Sequence, residues 1–237
     1  MALLELDQVS FNYGPITAVR DLSLDVEEGK IVALLGRNGA GKSTTLSGIA
    51  GLLKPRTGRI SFEGNPLPRS QVSRVARMGV AYVPEGRGVL GGLTVEENLN
   101  AAAFGHGLDR REARIEIDRV LEHFPAISSR MNQRAGTMSG GEQQMMVLMR
   151  ATLTRPRLLL VDEPGLGLAP IIVRAVYDQL IELNRDEGLS VLLVEQYVEL
   201  AVETADQVYV LQKGELVHSG PCSDVEATTD LVATYVG

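Results

Sequence analysis

The sequence has little of what marks secreted or membrane-spanning proteins. Its 237 residues include one cysteine, Cys222, so no internal disulfide can form, which suits a reducing cytosol. No apolar run approaches the roughly 18 residues that a membrane helix needs, and the longest are short stretches such as Ile31–Leu35. The first ten residues have neither a basic leader nor a long apolar run, so they predict no signal peptide. We therefore expect a soluble, intracellular protein that meets any membrane through a partner.

Positive charge is also scarce. The chain has 23 Lys and Arg against 30 Asp and Glu, a net charge of −7, which argues against a general nucleic-acid-binding surface but leaves room for a local basic site. Apolar residues make up 44% of the chain and charged residues 22%, a composition that argues against a disordered or fibrous protein. We expect one globular chain with a substantial core and no nucleic-acid partner.

The first quarter of the chain predicts strands followed by a helix. Leu22, Leu24 and Val26 alternate with polar residues, as in a half-buried strand. The continuous run Ile31–Leu35 is typical of a strand that is buried on both faces of a parallel sheet. A glycine-rich loop follows, and helix-forming residues continue over Lys42–Leu53 until a proline stops them.

The last third repeats this alternation and predicts an α/β fold with a mostly parallel core sheet. A hairpin and a C-terminal helix close the chain. The predicted strands and helices in this part are Leu158–Val161, Ile171–Asn184, Val191–Val194, Tyr197–Thr204, and the hairpin strands Val208–Leu211 and Leu216–His218.

The middle of the chain predicts helices that form a lobe on this core. Thr94 with Glu97, and Asp109 with Glu112, are capping boxes, in which a short polar side chain and a glutamate three residues later close a helix start. A third helical run covers Glu142–Thr154. We interpret residues 1–237 as a single domain, with a core at 1–89 and 155–237 and a helical lobe at 90–154.

A phosphate-binding loop lies between the predicted strand and the first helix. The segment fits G-x-x-x-x-G-K-[ST], in which backbone N–H groups and a helix start surround phosphate oxygens. Lys42 supplies a point charge for the β- and γ-phosphates, and the Ser43 hydroxyl can bind Mg²⁺, so we expect ATP and Mg²⁺ as cofactors. The residues predicted to bind nucleotide here are Gly36, Arg37, Asn38, Gly39, Ala40, Gly41, Lys42, Ser43 and Thr44.

Two acids end the predicted strand that begins at Leu158. A buried parallel strand delivers its carboxyl end to the ligand crevice, so Asp162 can help to hold Mg²⁺. Glu163 can then accept a proton from the attacking water as the general base. Acids at strand ends are common, and their proximity to a phosphate loop is what makes this interpretation specific.

The segment MSGGEQQ, residues 138–144, resembles the signature of ATP-binding-cassette (ABC) proteins. The resemblance covers nearly the whole chain and implies the ABC ATPase form of the P-loop NTPase fold, with an antiparallel N-terminal β part. In that family two chains pair head to tail, which implies that Ser139, Gly140 and Gly141 serve the ATP site of the partner. Tyr13 falls where the family stacks an aromatic ring on adenine, although an ordinary core tyrosine is the alternative.

Three positions depart from the family's pattern. Glu85 stands where the family usually has a glutamine that contacts Mg²⁺ and senses the membrane partner, and a carboxylate lacks the amide's donors. Gln196 replaces the usual γ-phosphate histidine, so it can donate a neutral hydrogen bond but carries no charge near pH 7. Ala169 replaces an aspartate. On this reading the catalytic residues are Glu163, Gln196 and Lys42, and the metal ligands are Ser43, Glu85 and Asp162.

Five segments together resemble one of the two ATPase subunits of branched-chain amino-acid importers. The resemblance implies a second ABC ATPase as the partner in a heterodimer, two membrane permease subunits, and indirectly a solute-binding protein. It also implies a cytoplasmic protein on the inner face of the cell membrane. The segments are VPEGR at 83–87, LTVEENL at 93–99, AGTMSGGEQQ at 135–144, GLGLAP at 165–170 and VEQ at 194–196.

Other functions stay open at this point. The ATPases of urea or short-amide importers share most of these segments, whereas the lipopolysaccharide-exporter ATPase is more distant. A regulatory subunit that completes its partner's ATP site and hydrolyses weakly is a second alternative. ABC proteins of translation or DNA repair are disfavoured, because the former have two cassettes in a chain and the latter interrupt theirs with a long coiled coil. The carried solute is not encoded in this chain.

Overall fold

Two sheets and a helical lobe make up the described residues, which are 2–86, 88–223 and 225–236 of a computed structural model. Arg87, the last residue of the predicted VPEGR segment, lies outside them, as do both ends of the predicted single domain. The strands are β1 Ala2–Tyr13, β2 Ile16–Glu27, β3 Ile31–Leu35, β4 Thr57–Phe62, β5 Asn65–Pro66, β6 Val80–Val83, β7 Leu158–Asp162, β8 Ser190–Glu195, β9 Gln207–Gln212 and β10 Glu215–Pro221. The helices are α1 Lys42–Ile49, α2 Val72–Arg77, α3 Val95–Gly105, α4 Arg110–His123, α5 Pro125–Ser128, α6 Gly140–Thr152, α7 Pro170–Glu187, α8 Val198–Thr204 and α9 Val225–Val236.

The core sheet has six strands in the order β10-β9-β3-β8-β7-β6. Five of these strands are parallel to one another, namely β9, β3, β8, β7 and β6. The sixth, β10, lies at one edge and is antiparallel to β9. The predicted α/β class with a mostly parallel core sheet is confirmed. In this register Leu35 lies opposite Glu195, and Asp162 lies opposite Val194, so the carboxyl ends of β3, β7 and β8 meet at one edge.

The antiparallel part consists of the four strands β2-β1-β4-β5. Strands β1 and β2 are long and form a hairpin in which Tyr13 pairs with Ile16. This sheet confirms the expected antiparallel N-terminal part.

Alternate residues of the parallel strands divide the core into two layers. In β3, Ala33 and its odd-numbered neighbours pack with the helical lobe and α7, whereas Leu34 packs with the antiparallel sheet and α1. Because both faces are covered, the strand has no polar side, which explains the continuous apolar run of its sequence. The lobe therefore shares a hydrophobic core with one face of the sheet.

The first helix is shorter than predicted. It ends at Ile49 rather than Leu53, because Gly51 adopts a left-handed backbone (φ 77°) and terminates it. The N–H groups of Gly51 and Leu52 donate to the carbonyls of Gly48 and Ser47, a Schellman cap. Propensity favoured a longer helix, and the cap overrides it.

Two helices of the lobe begin at the capping boxes that the sequence predicts. The capping boxes at Thr94 and Asp109 are both formed and open α3 and α4. Helix α6 begins two residues earlier than predicted, with Ser139 as its N-cap. Among the described residues, no helix combines the length and the apolar composition that crossing a bilayer requires.

Candidate nucleotide-binding site

The phosphate loop joins the end of β3 to the start of α1, and close packing requires its glycines. Gly41 has φ 107°, and a Cβ atom there would lie 2.8 Å from the carbonyl oxygen of Ala18 in β2. A Cβ at Gly36 would lie 2.4 Å from the carbonyl oxygen of Leu211 in β9. Side chains at these positions would push the loop off the sheet, so the glycines hold its backbone N–H groups at the crevice.

Lys42 is the first residue of α1 and its side chain is buried, with 4% exposed. Its Nζ donates to the Gly36 carbonyl at 2.9 Å and lies 3.3 Å from Oε1 of Glu163. The ammonium group is thus folded into the loop and paired with the acid that follows β7. A buried cation needs such a partner.

Asp162 joins the loop to the strand edge. Ser43 Oγ donates to Asp162 Oδ1 at 3.0 Å, and the Tyr82 hydroxyl donates to Oδ2 at 3.3 Å. Burial raises the pKa of Asp162, and the two hydrogen bonds oppose that rise. Burial, and after it the charge of Asp162, raises the pKa of Tyr82 to about 12, so this hydroxyl stays a donor. The pair of adjacent hard oxygens on Ser43 and Asp162 fits the ligand preference of Mg²⁺.

Glu163 has a strained backbone and two polar partners. Its φ is 45°, a left-handed conformation that is uncommon for a residue with a side chain, and its N–H donates to the Val194 carbonyl at 3.0 Å. The carboxylate is almost completely buried between Lys42 on one oxygen and Gln196 Nε2, 2.7 Å away, on the other. The predicted catalytic residues Glu163, Gln196 and Lys42 therefore form one connected group.

Glu85 lies at the junction of the core and the lobe. It is exposed, follows β6, and lines a cleft of about 360 Å³ together with Asp162, Glu163 and two glutamines of α6, Gln143 and Gln144. The negative charge of Glu85 also contributes to the raised pKa of Asp162, after burial. The structure thus brings this predicted metal ligand to the same crevice as the strand acids.

The signature segment stands at the start of α6, with Ser139 exposed. The Ser139 hydroxyl and the Glu142 carboxylate close the capping box, and Arg130 pairs with Glu142 at 2.9 Å. Gly141 permits α6 to approach α7, since a Cβ there would lie 2.3 Å from the Ile172 side chain. Ser139 and Gly140 are therefore held rigidly at a helix N-terminus that faces outward.

Tyr13 is not a core residue. It lies at the end of β1 and is 54% exposed, so the alternative interpretation as a core tyrosine is wrong. The hairpin that it begins continues into β2, where Val19 lies against Gly41 of the phosphate loop. An exposed ring beside that hairpin is available for stacking.

Two polar residues of the site were not picked out from the sequence. Tyr82 contacts Asp162 because β6 lies next to β7. The two strands are far apart in the chain, so their pairing could not be predicted from the sequence. Glu195 is the last residue of β8, is 1% exposed, and accepts the backbone N–H of Gln196 at 2.9 Å. The apolar run before it predicted a strand end but gave no sign that its carboxyl is buried.

A phosphate loop, two strand-end acids and a helical lobe on a mixed α/β core define an ATP-binding cassette. The sequence profile of the ABC transporter family matches residues 19–165, more than half of the chain. The chain belongs to the ABC transporter family, whose ATP-binding domains hydrolyse ATP.

Individual relatives agree with this assignment. The high-affinity branched-chain amino acid transport ATP-binding protein BraG of Pseudomonas aeruginosa is 48% identical and covers 91% of each chain. The lipopolysaccharide export system ATP-binding protein LptB of Haemophilus influenzae is 30% identical over 100% of this chain and 98% of its own. A solved ATP-binding subunit of an ABC transporter superposes with a TM-score of 0.83 at 31% identity, over 99% of both chains. Relatives thus include components of a branched-chain amino acid transport system and of a lipopolysaccharide export system.

Proposed function

We propose that this chain is the ATP-hydrolysing subunit of an importer for branched-chain amino acids. The chemical part rests on one observation, the buried Glu163 carboxylate held between Lys42 and Gln196 at the edge of the parallel sheet. The substrate class is supported by the likeness to BraG, which is well above the likeness to LptB. The expectation that the lipopolysaccharide-exporter type is more distant agrees with that order.

The loop residues 36–44 bind the phosphates of ATP, and Lys42 changes partners when they arrive. Its ammonium pairs with Glu163 and with a loop carbonyl. The greater charge of the triphosphate attracts it away, which releases Glu163 to accept a proton from water. Gln196 keeps the carboxylate oriented through its amide N–H. Tyr13 stacks on the adenine.

Mg²⁺ is expected on Ser43 and Asp162, with Glu85 on the exposed side of the cleft. When bound, it neutralises charge on the β- and γ-phosphates. The Tyr82 hydroxyl holds Asp162 Oδ2, which leaves the other oxygen directed at Ser43. The chain's part is to present these oxygens together at the loop.

The site is completed by a second ABC ATPase in a head-to-tail heterodimer. The outward N-terminus of α6, with Ser139, Gly140 and Gly141, supplies N–H groups to the γ-phosphate on the partner's loop. Glu85 and Gln196 make this chain's own site different from the family pattern, so the two sites of the heterodimer are unequal. This departure also favours the second candidate function, a weakly hydrolysing subunit that mainly completes its partner's site.

The junction between the core and the lobe faces the two membrane permease subunits. After Glu85, residues Gly86, Val89 and Gly91 line the cleft beside Asp162, and Gly88 lines a second cleft of about 360 Å³. Gly88, His106 and Arg150 line that second cleft, and Arg150 donates to the Gly88 carbonyl at 2.8 Å. On this proposal cytoplasmic loops of the permease bind in this groove, the chain lies on the inner face of the cell membrane, and a solute-binding protein lies on the other side.

Crosslinking tests the permease contact. Single cysteines at Gly88 and Leu90, in a chain with Cys222→Ser, should crosslink to cysteines in the permease's cytoplasmic loops. A matched cysteine at Lys54, exposed beyond α1, serves as the control. Efficient crosslinks from Lys54 and none from Gly88 or Leu90 would contradict this orientation.

Transport by the assembled complex tests the function as a whole. The chain, its second ATPase and the permeases are reconstituted in vesicles with ATP and Mg²⁺ on the ATPase side, and the solute-binding protein is added on the other side. We expect ATP-dependent uptake of labelled leucine, isoleucine and valine, lost with Lys42→Ala. Uptake of urea or a short amide instead would replace the substrate class, and outward movement would overturn import. Full transport with Lys42→Ala would support the regulatory alternative.

A further inference from the structure

A buried carboxyl group holds the turn that carries Gln196. Glu195 ends β8 with 1% of its surface exposed, and its Oε2 accepts the N–H groups of Gln196 at 2.9 Å and Tyr197 at 3.4 Å. Those two bonds fix the backbone just after the strand. The Gln196 side chain leaves this turn and reaches Glu163 at 2.7 Å. The position of the amide on the proposed base therefore depends on Glu195.

The other oxygen of Glu195 faces a buried tyrosine of α7. Within the described residues, Glu195 Oε1 and the Tyr177 hydroxyl are both buried without a hydrogen-bond partner, and Tyr177 is 1% exposed. Burial raises the pKa of Glu195, and burial followed by the Glu195 carboxyl raises that of Tyr177. The two groups are complementary, because a phenol and a carboxyl can each donate or accept. Each group can therefore supply the hydrogen-bond partner that the burial of the other requires.

The space for this pair is kept by a glycine in the loop that leads to α7. A Cβ at Gly165 would lie 3.6 Å from Glu195 Oε1 and 2.8 Å from Val173 of α7. The loop, the first turns of α7 and the end of β8 are thus packed at one place. Helix α7 starts at Pro170, at the end of this loop.

We propose that Glu195 is a positioning residue for ATP hydrolysis. It holds the backbone at Gln196 so that the Gln196 amide contacts Glu163, and Tyr177 of α7 holds Glu195 in place. The inference rests on the proposed function, in that Glu163 is taken as the base. Through this pair, α7 helps to orient the base although none of its residues is assigned to nucleotide binding. A buried acid that serves only stability would give no such coupling.

A double-mutant cycle separates these roles. ATP hydrolysis and ATP binding are measured on the full chain in its assembled complex, for Glu195→Leu, Glu195→Gln and Tyr177→Phe, each alone and with Gln196→Ala. We expect Glu195→Leu to lower kcat about 10- to 100-fold with the ATP dissociation constant unchanged, the cost of a small misplacement. Glu195→Gln should retain kcat within about 3-fold, since its amide oxygen accepts both N–H groups and its NH₂ faces Tyr177. Tyr177→Phe should lower kcat roughly 5-fold, the effect of one neutral hydrogen bond.

With Gln196→Ala already present, none of the three changes should lower kcat further, because the positioned group is gone. Equal losses in both backgrounds, or a Glu195→Gln variant as impaired as Glu195→Leu, would overturn the proposal. Hydrogen exchange gives a readout apart from activity: the Gln196 and Tyr197 amides should exchange faster in Glu195→Leu and as in wild type in Glu195→Gln. If Glu195→Leu does not fold, Glu195→Gln and Tyr177→Phe carry the test. Failure of the base assignment would show separately, as undiminished hydrolysis by Glu163→Gln.

Discussion

Gln196 Nε2 donates a 2.7 Å hydrogen bond to Glu163 Oε2, and the opposite oxygen of the same carboxylate lies 3.3 Å from Lys42 Nζ. The acid is therefore placed between an amide and a cation from two other elements. On our proposal the cation leaves when the triphosphate binds, and the amide remains.

Glu163→Gln should stall hydrolysis and spare binding. An amide of nearly the same shape cannot accept a proton, so we expect the rate of ATP hydrolysis to fall roughly 10²- to 10⁴-fold. ATP binding should persist, and the ATP-bound dimer with its partner should accumulate, as gel filtration or light scattering would show. Glu122→Gln, an exposed glutamate of α4, is the matched control and should hydrolyse normally. Wild-type turnover of Glu163→Gln in the assembled complex would make Asp162 or substrate-assisted chemistry the next hypothesis.

Lys42→Ala should greatly weaken nucleotide binding and turnover. The ammonium is the only charge change in this variant, and its loss weakens contacts to the β- and γ-phosphates and leaves the buried Glu163 carboxylate without its cation. We expect at least a 10-fold loss of ATP affinity by calorimetry, together with loss of turnover. Lys54→Ala, an exposed lysine beyond α1, should bind ATP normally. Unchanged affinity and turnover in Lys42→Ala, with native circular dichroism, would refute the assigned site.

Gln196→His should raise the turnover of the site on this chain's phosphate loop. An imidazolium brings a positive charge to the γ-phosphate that an amide does not have. ATP hydrolysis at this site should therefore become faster if the contact with the γ-phosphate limits its rate. The measurement is steady-state hydrolysis by the heterodimer in which the partner's own lysine of the phosphate loop is replaced, so that only this site turns over. A lower or unchanged rate would mean that the Gln196 amide already supplies the donor that the step needs.

Glu142→Gln should destabilise the fold in a pH-dependent way. The Ser139 N–H bond, and the nearby Arg130, hold the pKa of Glu142 below its ordinary value of 4.5. A depressed pKa in the folded state means that the stabilisation is fully present above about pH 4.5 and is lost as pH falls through the folded value. We expect Glu142→Gln to lower the free energy of unfolding by about 0.5–1 kcal/mol at pH 7. The difference between the variant and wild type should vanish once the pH is below the pKa of Glu142 in the folded state.

Urea unfolding of wild type and Glu142→Gln between pH 7 and pH 3 checks this. Glu5→Gln, an exposed glutamate of β1, is the control and should stay within about 0.5 kcal/mol of wild type throughout. A difference that grows as the pH falls would contradict the sign of the effect. A difference that is constant with pH would point to shape rather than charge at the cap.

Much of the fold was predictable because its signals are local. The apolar run Ile31–Leu35 becomes a strand with every residue buried, and the caps at Thr94 and Asp109 open the helices that they predict. The end of the first helix was not predictable from propensity. It depends on Gly51, whose left-handed cap also places it against Val75 of α2, 3.0 Å from a Cβ built there.

For the candidate site, the residue types were predictable and their contacts were not. Glycine spacing and strand-end acids identify Lys42, Asp162 and Glu163, because the chemistry of phosphate and metal binding requires those groups in that context. That Tyr82 would hold Asp162, and that Gln196 would reach Glu163, depended on which strands lie side by side.

The local elements, the phosphate loop and the residue types that we propose to bind ATP and Mg²⁺ follow from the amino-acid sequence alone, since each depends on residues that are near one another in the chain. How these groups meet depends on the packing of segments that are distant in the chain. The order of β6, β7, β8 and β3 and their register bring distant residues to one edge of the sheet. The burial of Glu195 beside Tyr177 is the clearest case, because a carboxyl at the end of an apolar strand is ordinarily solvated, and here α7 covers it.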